Sequence, residues 1–240
     1  MTLLDQDGIP KDATGALTVT GKSLDGSAVP LGTTQSLGEG EVSVTIAAAD
    51  IPQPDLVVLT ATDEDGAVNE PAVEVVGGYY FSITEARKMD GALQQMAKYP
   101  DEDVIRCRRE VEDEFERISW QAFVPRADRF VLSGDGSAEI LLSVYHLRSV
   151  RSISVGGVPF TSDQLAGVTV DPIGLVTSQY GPFLIGTQNV TMIAEHGMSI
   201  VPADLKAAMV RRLRERLNSP NSGMNERATS MSADGICQPG

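Results

Sequence analysis

The chain has 240 residues, 42% hydrophobic and 22% charged, which is ordinary for a globular protein with room for two cores. Its formal charge of -14 argues against a protein that grips the nucleic-acid backbone, which needs clustered Lys and Arg. No run approaches the length of a membrane span, and "MTLLDQDGIPKD" lacks the basic and apolar regions of a secretory signal, so a cytosolic protein is expected.

Residues 1–80 hold two lysines against thirteen acids, whereas the chain from Pro202 onward is net +2. That asymmetry predicts two parts with different jobs. The first reads as all-β. "ALTVT" (16–20), "EVSVTI" (41–46), "LVVLTAT" (56–62) and "PAVEVV" (71–76) alternate or run apolar with β-branched residues, separated by "LDGS", "GEGE", "IPQP" and "TDEDGA". The spacing predicts an Ig-like sandwich of six or seven strands over 1–77, with a hairpin turn at Asp65-Gly66.

After "VVGGYY" the period changes. "SITE" (82–85) is a capping box that starts a short helix, and another is expected from Gly91 to Lys98. Pro100 breaks it, and "PDED" opens a long helix. On that helix Val104, Cys107, Val111, Phe115 and Ile118 form one apolar stripe. Trp120 falls on the opposite side, so the helix ends near Ser119 or the indole faces another surface. Strands follow near 129–133, 139–143, 149–155, 167–170, 174–177 and 189–195, with hairpin-like turns at Gly134-Asp135-Gly136 and Gly156-Gly157. A last helix starts near Pro202, carries Leu205, Met209, Leu213 and Leu217 along one edge, and ends at Pro220. Residues 219–240 are polar and aperiodic and read as an extended tail. The fold class is therefore α+β: the sandwich, a helical core with inserted strands over 78–218, and the tail.

The long helix pairs Glu102 with Arg106 and Asp113 with Arg117 in the favourable i,i+4 order, but also sets Glu110 against Glu114 and Glu112 against Glu116. A solvated face, a subunit contact and a carboxylate pair for acid–base work all remain open, and the like-charge pairs predict cations facing them. Cys107 lies on the apolar stripe and reads as a small buried hydrophobe rather than a nucleophile; Cys237 has no visible partner. "AEHGMS" brings Glu195, His196 and Ser199 close in sequence, yet neighbours on a strand face opposite ways. "DQDG" and "DEDG" lack the remaining ligands of a calcium loop, and no phosphate loop is present. No catalytic residue, cofactor or metal is expected. On the last helix Lys206, Arg211, Arg212, Arg214 and Arg216 outnumber Asp204 and Glu215, either complementing the helix dipole or forming a basic docking edge.

An ordered set of segments, "VVGGYYFSITEAR", "KYPDEDVIRCRREVEDEFER" with "FVPR", "LRSVRSISVGGVPFT", "NVTMIAEHGM" and "PADLKAAMVRRLRERL", resembles the head-to-tail adaptor (connector) proteins of tailed phages, especially those of actinobacterial siphophages. The resemblance covers roughly 75 to 230. It implies a non-enzymatic virion protein of the neck, assembled in the host cytoplasm as a dodecameric ring. Such a ring joins the portal protein to a stopper or tail-terminator and lets DNA pass without sequence-specific binding and without a membrane. It also implies portal contact through Arg211, Arg212, Arg214, Arg216, Ser219 and Arg227, and packing between copies through Arg106, Arg109, Glu110, Glu112, Asp113 and Glu116. The alternative reading is a surface- or carbohydrate-binding module that uses the N-terminal domain.

Overall fold

A computed structural model of the chain describes residue 12 and residues 16–38, 41–64 and 68–218. These residues form two compact units. One takes the described residues up to Tyr80 together with Glu116–Val201; the other takes Phe81–Phe115 and the described residues from Pro202 onward.

The first unit is β-rich. Its N-terminal part contains β1 (Thr18–Lys22), β2 (Ala28–Val29), β3 (Thr34–Gly38), β4 (Glu41–Val44), β5 (Asp55–Thr62), β6 (Val68–Asn69) and β7 (Ala72–Val75). β5 is the spine. It pairs antiparallel with β1, from Thr18↔Thr62 to Lys22↔Val58, and also with β6 and β7, while β3 and β4 form a separate two-stranded sheet. Alternation explains the core: Val57, Leu59 and Ala61, two residues apart, are all buried, and Val29 and Val42 pack in the two clusters they seed. The four strands read from sequence are present. β2, β3 and β6 are additional, and two of them are only two residues long. The turn expected at Asp65-Gly66 lies outside the described residues.

The rest of this unit is built on β8 (Arg126–Gly134), β9 (Glu139–Leu141), β10 (Ser149–Val155), β11 (Val158–Pro159), β12 (Val168–Val170), β13 (Leu175–Ser178) and β14 (Gly186–His196). One antiparallel sheet runs β11-β10-β14-β8 and a smaller one β12-β13-β9. Between them Leu142, Ile153, Val176, Phe183, Val190 and Met192 make the core, with Phe160 stacked on Phe183 at 6.4 Å. Gly156 and Gly157 (φ 59° and 82°) form the two-residue turn between β10 and β11, as expected of a primed hairpin. Gly134-Asp135-Gly136 is not a hairpin: β8 and β9 belong to different sheets, and the turn is a corner between them. Gly134 is required there because a Cβ would lie 2.1 Å from the Leu184 carbonyl oxygen. A short helix, the third in chain order and labelled α3, spans Ser162–Ala166. It opens on a reciprocal box between Thr161 and Gln164, the T-x-x-Q pattern of a capped helix start, in a stretch where no helix was expected.

The second unit is helical: α1 (Ile83–Met89), a 3₁₀ turn at Gly91–Gln94, α2 (Asp101–Ser119) as far as Phe115, and α4 (Ala203–Asn218), α3 being Ser162–Ala166. Ser82 Oγ accepts from the Glu85 amide and starts α1, which is one half of the expected box, while the Glu85 carboxylate accepts from Lys206. Where a helix over 91–98 was expected, only the 3₁₀ turn forms, started by Asp90 accepting from the Ala92 amide. Ala86, Leu93, Val104, Cys107, Val111, Met209, Val210 and Leu213 are the buried apolar residues of these elements.

Candidate functional site

α2 is where the sequence concentrated its charge. Its buried face is Val104, Cys107, Arg108 and Val111; Phe115 is only half-buried and Ile118 is 70% exposed, so the apolar stripe outruns its cover by one turn. Arg108 was not expected inside. Its Nη1 donates to the Phe81 carbonyl at 3.3 Å, and its Nε lies 3.8 Å from Glu112. Burial pushes the Cys107 thiol up, which holds it in the unreactive protonated form.

The like-charge pair Glu110–Glu114 is resolved within the helical unit. Arg216 reaches Glu110 at 2.7 Å and Glu114 at 3.2 Å, while Arg212 grips Glu114 through Nε and Nη2 at 3.2 and 3.1 Å. The two arginines share the i,i+4 spacing of the two glutamates, so consecutive turns of α4 match consecutive turns of α2. Lys206 binds Glu85 at 2.8 Å, and that bond holds the Glu85 carboxyl below its usual range. Arg214 pairs with Asp90 at 3.0 Å. Arg87 adds a further tie, donating to Asp101 at 2.6 Å and to the Tyr99 carbonyl.

The described residues among those singled out from sequence divide between the two units. Arg212, Arg214 and Arg216 have acidic partners inside their own unit, and Arg211 is exposed beside a cleft of about 370 Å³ lined by Met89, Gly91 and Val210. Ser219 and Arg227 lie outside the described residues. Arg106 pairs with Asp103 at 2.8 Å and Glu110 at 3.6 Å rather than with Glu102. Arg109 and Asp113 are exposed. Glu116 belongs to the β-rich unit, where it binds Arg126, which also holds Glu74 at 3.0 Å. Burial raises the Glu116 carboxyl even though Arg126 pulls it down, and the neighbouring Glu74 charge raises it further. Arg126 thus joins β7, β8 and the end of α2 through one guanidinium. Nothing local in "FVPR" announces this, because Glu74 is 52 residues away and Glu116 lies on the far side of the turn that ends α2.

Glu195, His196 and Ser199 do not converge. Glu195 accepts from Arg151 Nε at 2.8 Å, His196 Nε2 lies 2.7 Å from Asp128, and Ser199 accepts from Arg148 at 2.5 Å. The His196 bond lowers the Asp128 carboxyl. Among the described residues no three His, Cys, Asp or Glu side chains gather to hold a metal, and no helix is long and apolar enough to cross a membrane.

A cavity of about 490 Å³ in the β-rich unit is lined by Ser23, Asp25, Asp50, Asp55, Arg151 and Ile193. Two of its acids, Asp25 and Asp55, are occupied by backbone amides. Asp25 accepts from Ser23 Oγ and the Ser27 amide, which hold it down at about 2, and Asp55 accepts from the Leu24 and Leu56 amides.

The same unit displays large apolar side chains. Leu141, Ile173, Tyr180, Leu184 and Ile185 around the three-stranded sheet are each at least 60% exposed. At the end of α2, Trp120 is 87% exposed and takes φ 56°, with its amide closing the helix onto the Glu116 carbonyl at 2.8 Å. This is the left-handed C′ position, normally glycine or asparagine. Comparison with protein-family models and with curated proteins identifies no match.

Proposed function

We propose that this chain is a structural subunit of a head–tail adaptor ring, joining a portal to a stopper or tail-terminator in the neck of a tailed-phage virion, with DNA passing through the ring. The N-terminal strands are read in this proposal as an Ig-like domain appended to the adaptor core. The observation that carries the proposal is the outward display of Leu141, Ile173, Tyr180, Leu184 and Ile185 on the β-rich unit. Exposed apolar surface of this kind marks contact with other proteins. A net charge of -14 suits a channel wall that DNA slides past instead of adhering to. The ordered segments of the sequence supply the kind of assembly.

The experiment is to mix the purified chain with the portal ring of the same virion and image the product. A single ring of this protein seated on the portal is expected. Failure to bind the portal under conditions where both components are folded would rule the proposal out.

A further inference from the structure

Most acids of α2 are taken up by arginines of the same chain, so the charged face does not by itself identify what a second copy would hold. The end of the helix offers something different. Ile118 (70%), Trp120 (87%) and Ile200 (82%) are among the most exposed large apolar side chains of the described residues. The segments that carry them are tied together. The Met198 amide donates to the Ala122 carbonyl and a Cβ on Gly197 would meet the Val124 carbonyl, so 197–198 lie against 122–124 just beyond the antiparallel pair His196↔Arg126, with Ile200 two residues further along one segment and Trp120 two residues back along the other. The rim is basic: Arg117 and Arg148 are exposed, and Arg148 is fixed to Ser199. A bulky residue at positive φ is strained, and here the indole gains almost no burial within the chain.

The complement lies on the same protein. Described residues 16–80 carry eight acids against the single base Lys22. Glu41, Asp50, Glu64, Glu70 and Glu74 are exposed there, and Val58, 37% exposed on β5, shares a face of the sheet with Glu74 through the pairs Val58↔Ala72 and Leu56↔Glu74. We propose that the Ile118–Trp120–Ile200 patch, rimmed by Arg117 and Arg148, docks on the acidic N-terminal sheet of a second copy. The two surfaces are different, so the contact is heterologous, the kind that repeats around a closed ring. The inference rests on the ring reading above and names its subunit contact.

Self-association of the full chain is measured by light scattering across concentration. Trp120→Gly removes the anchor while giving the left-handed position the residue it favours, so it is expected to leave the melting temperature unchanged or raised. The same substitution should weaken association at least about 10-fold, the effect of losing one central aromatic anchor. Arg117→Glu should weaken association and raised salt should do the same. In a mixture of isotopically labelled and unlabelled Arg117→Lys chains, carbodiimide should couple the introduced amine to a carboxylate of residues 16–80 on the other chain. Unchanged association of folded Trp120→Gly overturns the inference, as does a wild-type chain that stays monomeric at millimolar concentration. Coupling only outside 16–80 overturns the choice of partner surface. Portal binding by a Trp120→Gly chain that still forms the ring sinks this contact alone, whereas wild-type chain that never binds portal sinks the ring reading itself.

Discussion

Glu114 is the acid on which the helical unit's ion pairs converge. Its carboxylate receives three N–H bonds at 3.1–3.2 Å from Arg212 and Arg216, and its side chain is only 14% exposed. Glu114→Gln keeps the shape and removes the charge. Exposed pairs stabilise by well under about 1 kcal/mol, while hydrogen bonds to charged groups reach about 1.5–3 kcal/mol. Glu114 lies between these limits, because Arg212 and Arg216 remain 24% and 29% exposed and can rehydrate. The expected loss is about 2 kcal/mol, or a fall in melting temperature of about 4–8 °C for a chain of this size. Urea unfolding followed by circular dichroism would measure it. Combining Glu114→Gln with Arg212→Gln should recover about 1 kcal/mol of coupling, and the coupling should shrink in high salt. Asp113→Asn, on the exposed face one residue away, serves as the control and should change stability by less than about 0.5 kcal/mol. Equal effects of the two substitutions would refute the reasoning and leave α4 held by apolar packing alone.

Two further outcomes are expected. Arg126→Met leaves Glu116 buried without its counter-ion and should destabilise by about 3 kcal/mol at neutral pH. The Glu116 carboxyl is already raised in the folded state, so folding takes up a proton. The variant's deficit should therefore narrow as pH falls from above the folded value toward about 4.3, the ordinary value in the unfolded chain; a deficit that stays constant or widens on acidification would contradict this. Gly174→Ala should destabilise by about 2–4 kcal/mol, because φ is 99° and a Cβ would lie 2.5 and 2.6 Å from the Leu142 and Val144 carbonyl oxygens. Gly78→Ala meets open space without a positive φ and should be nearly neutral in the same thermal melt.

Period and punctuation made much of the fold legible. β5 alternates and is buried at every second residue; α2 begins after Pro100 and ends at Ser119, with Trp120 breaking away as its wheel position foretold. Cys107 is buried as its place on the stripe requires. Shorter elements escaped. β2, β6 and β11 have two residues each, too few for any period, and the 3₁₀ turn at 91–94 replaced a helix because Asp90 captured the Ala92 amide. The site was less legible. The like-charge pairs of α2 did foretell opposing cations, but not that Arg212 and Arg216, about a hundred residues on, would supply them.

Local sequence by itself determined where helices and strands begin, which faces are apolar, and that charge is divided unevenly along the chain. Those properties depend on residues within a turn or two of one another. Tertiary structure decided which charges remain for a partner. Arg126 can bind Glu74 and Glu116 only once β7, β8 and the end of α2 are side by side, and Glu114 acquires its arginines only when α4 lies along α2. Pairing at such separations is set by packing in three dimensions, and so is the exposure of Trp120, which no count along the sequence reveals.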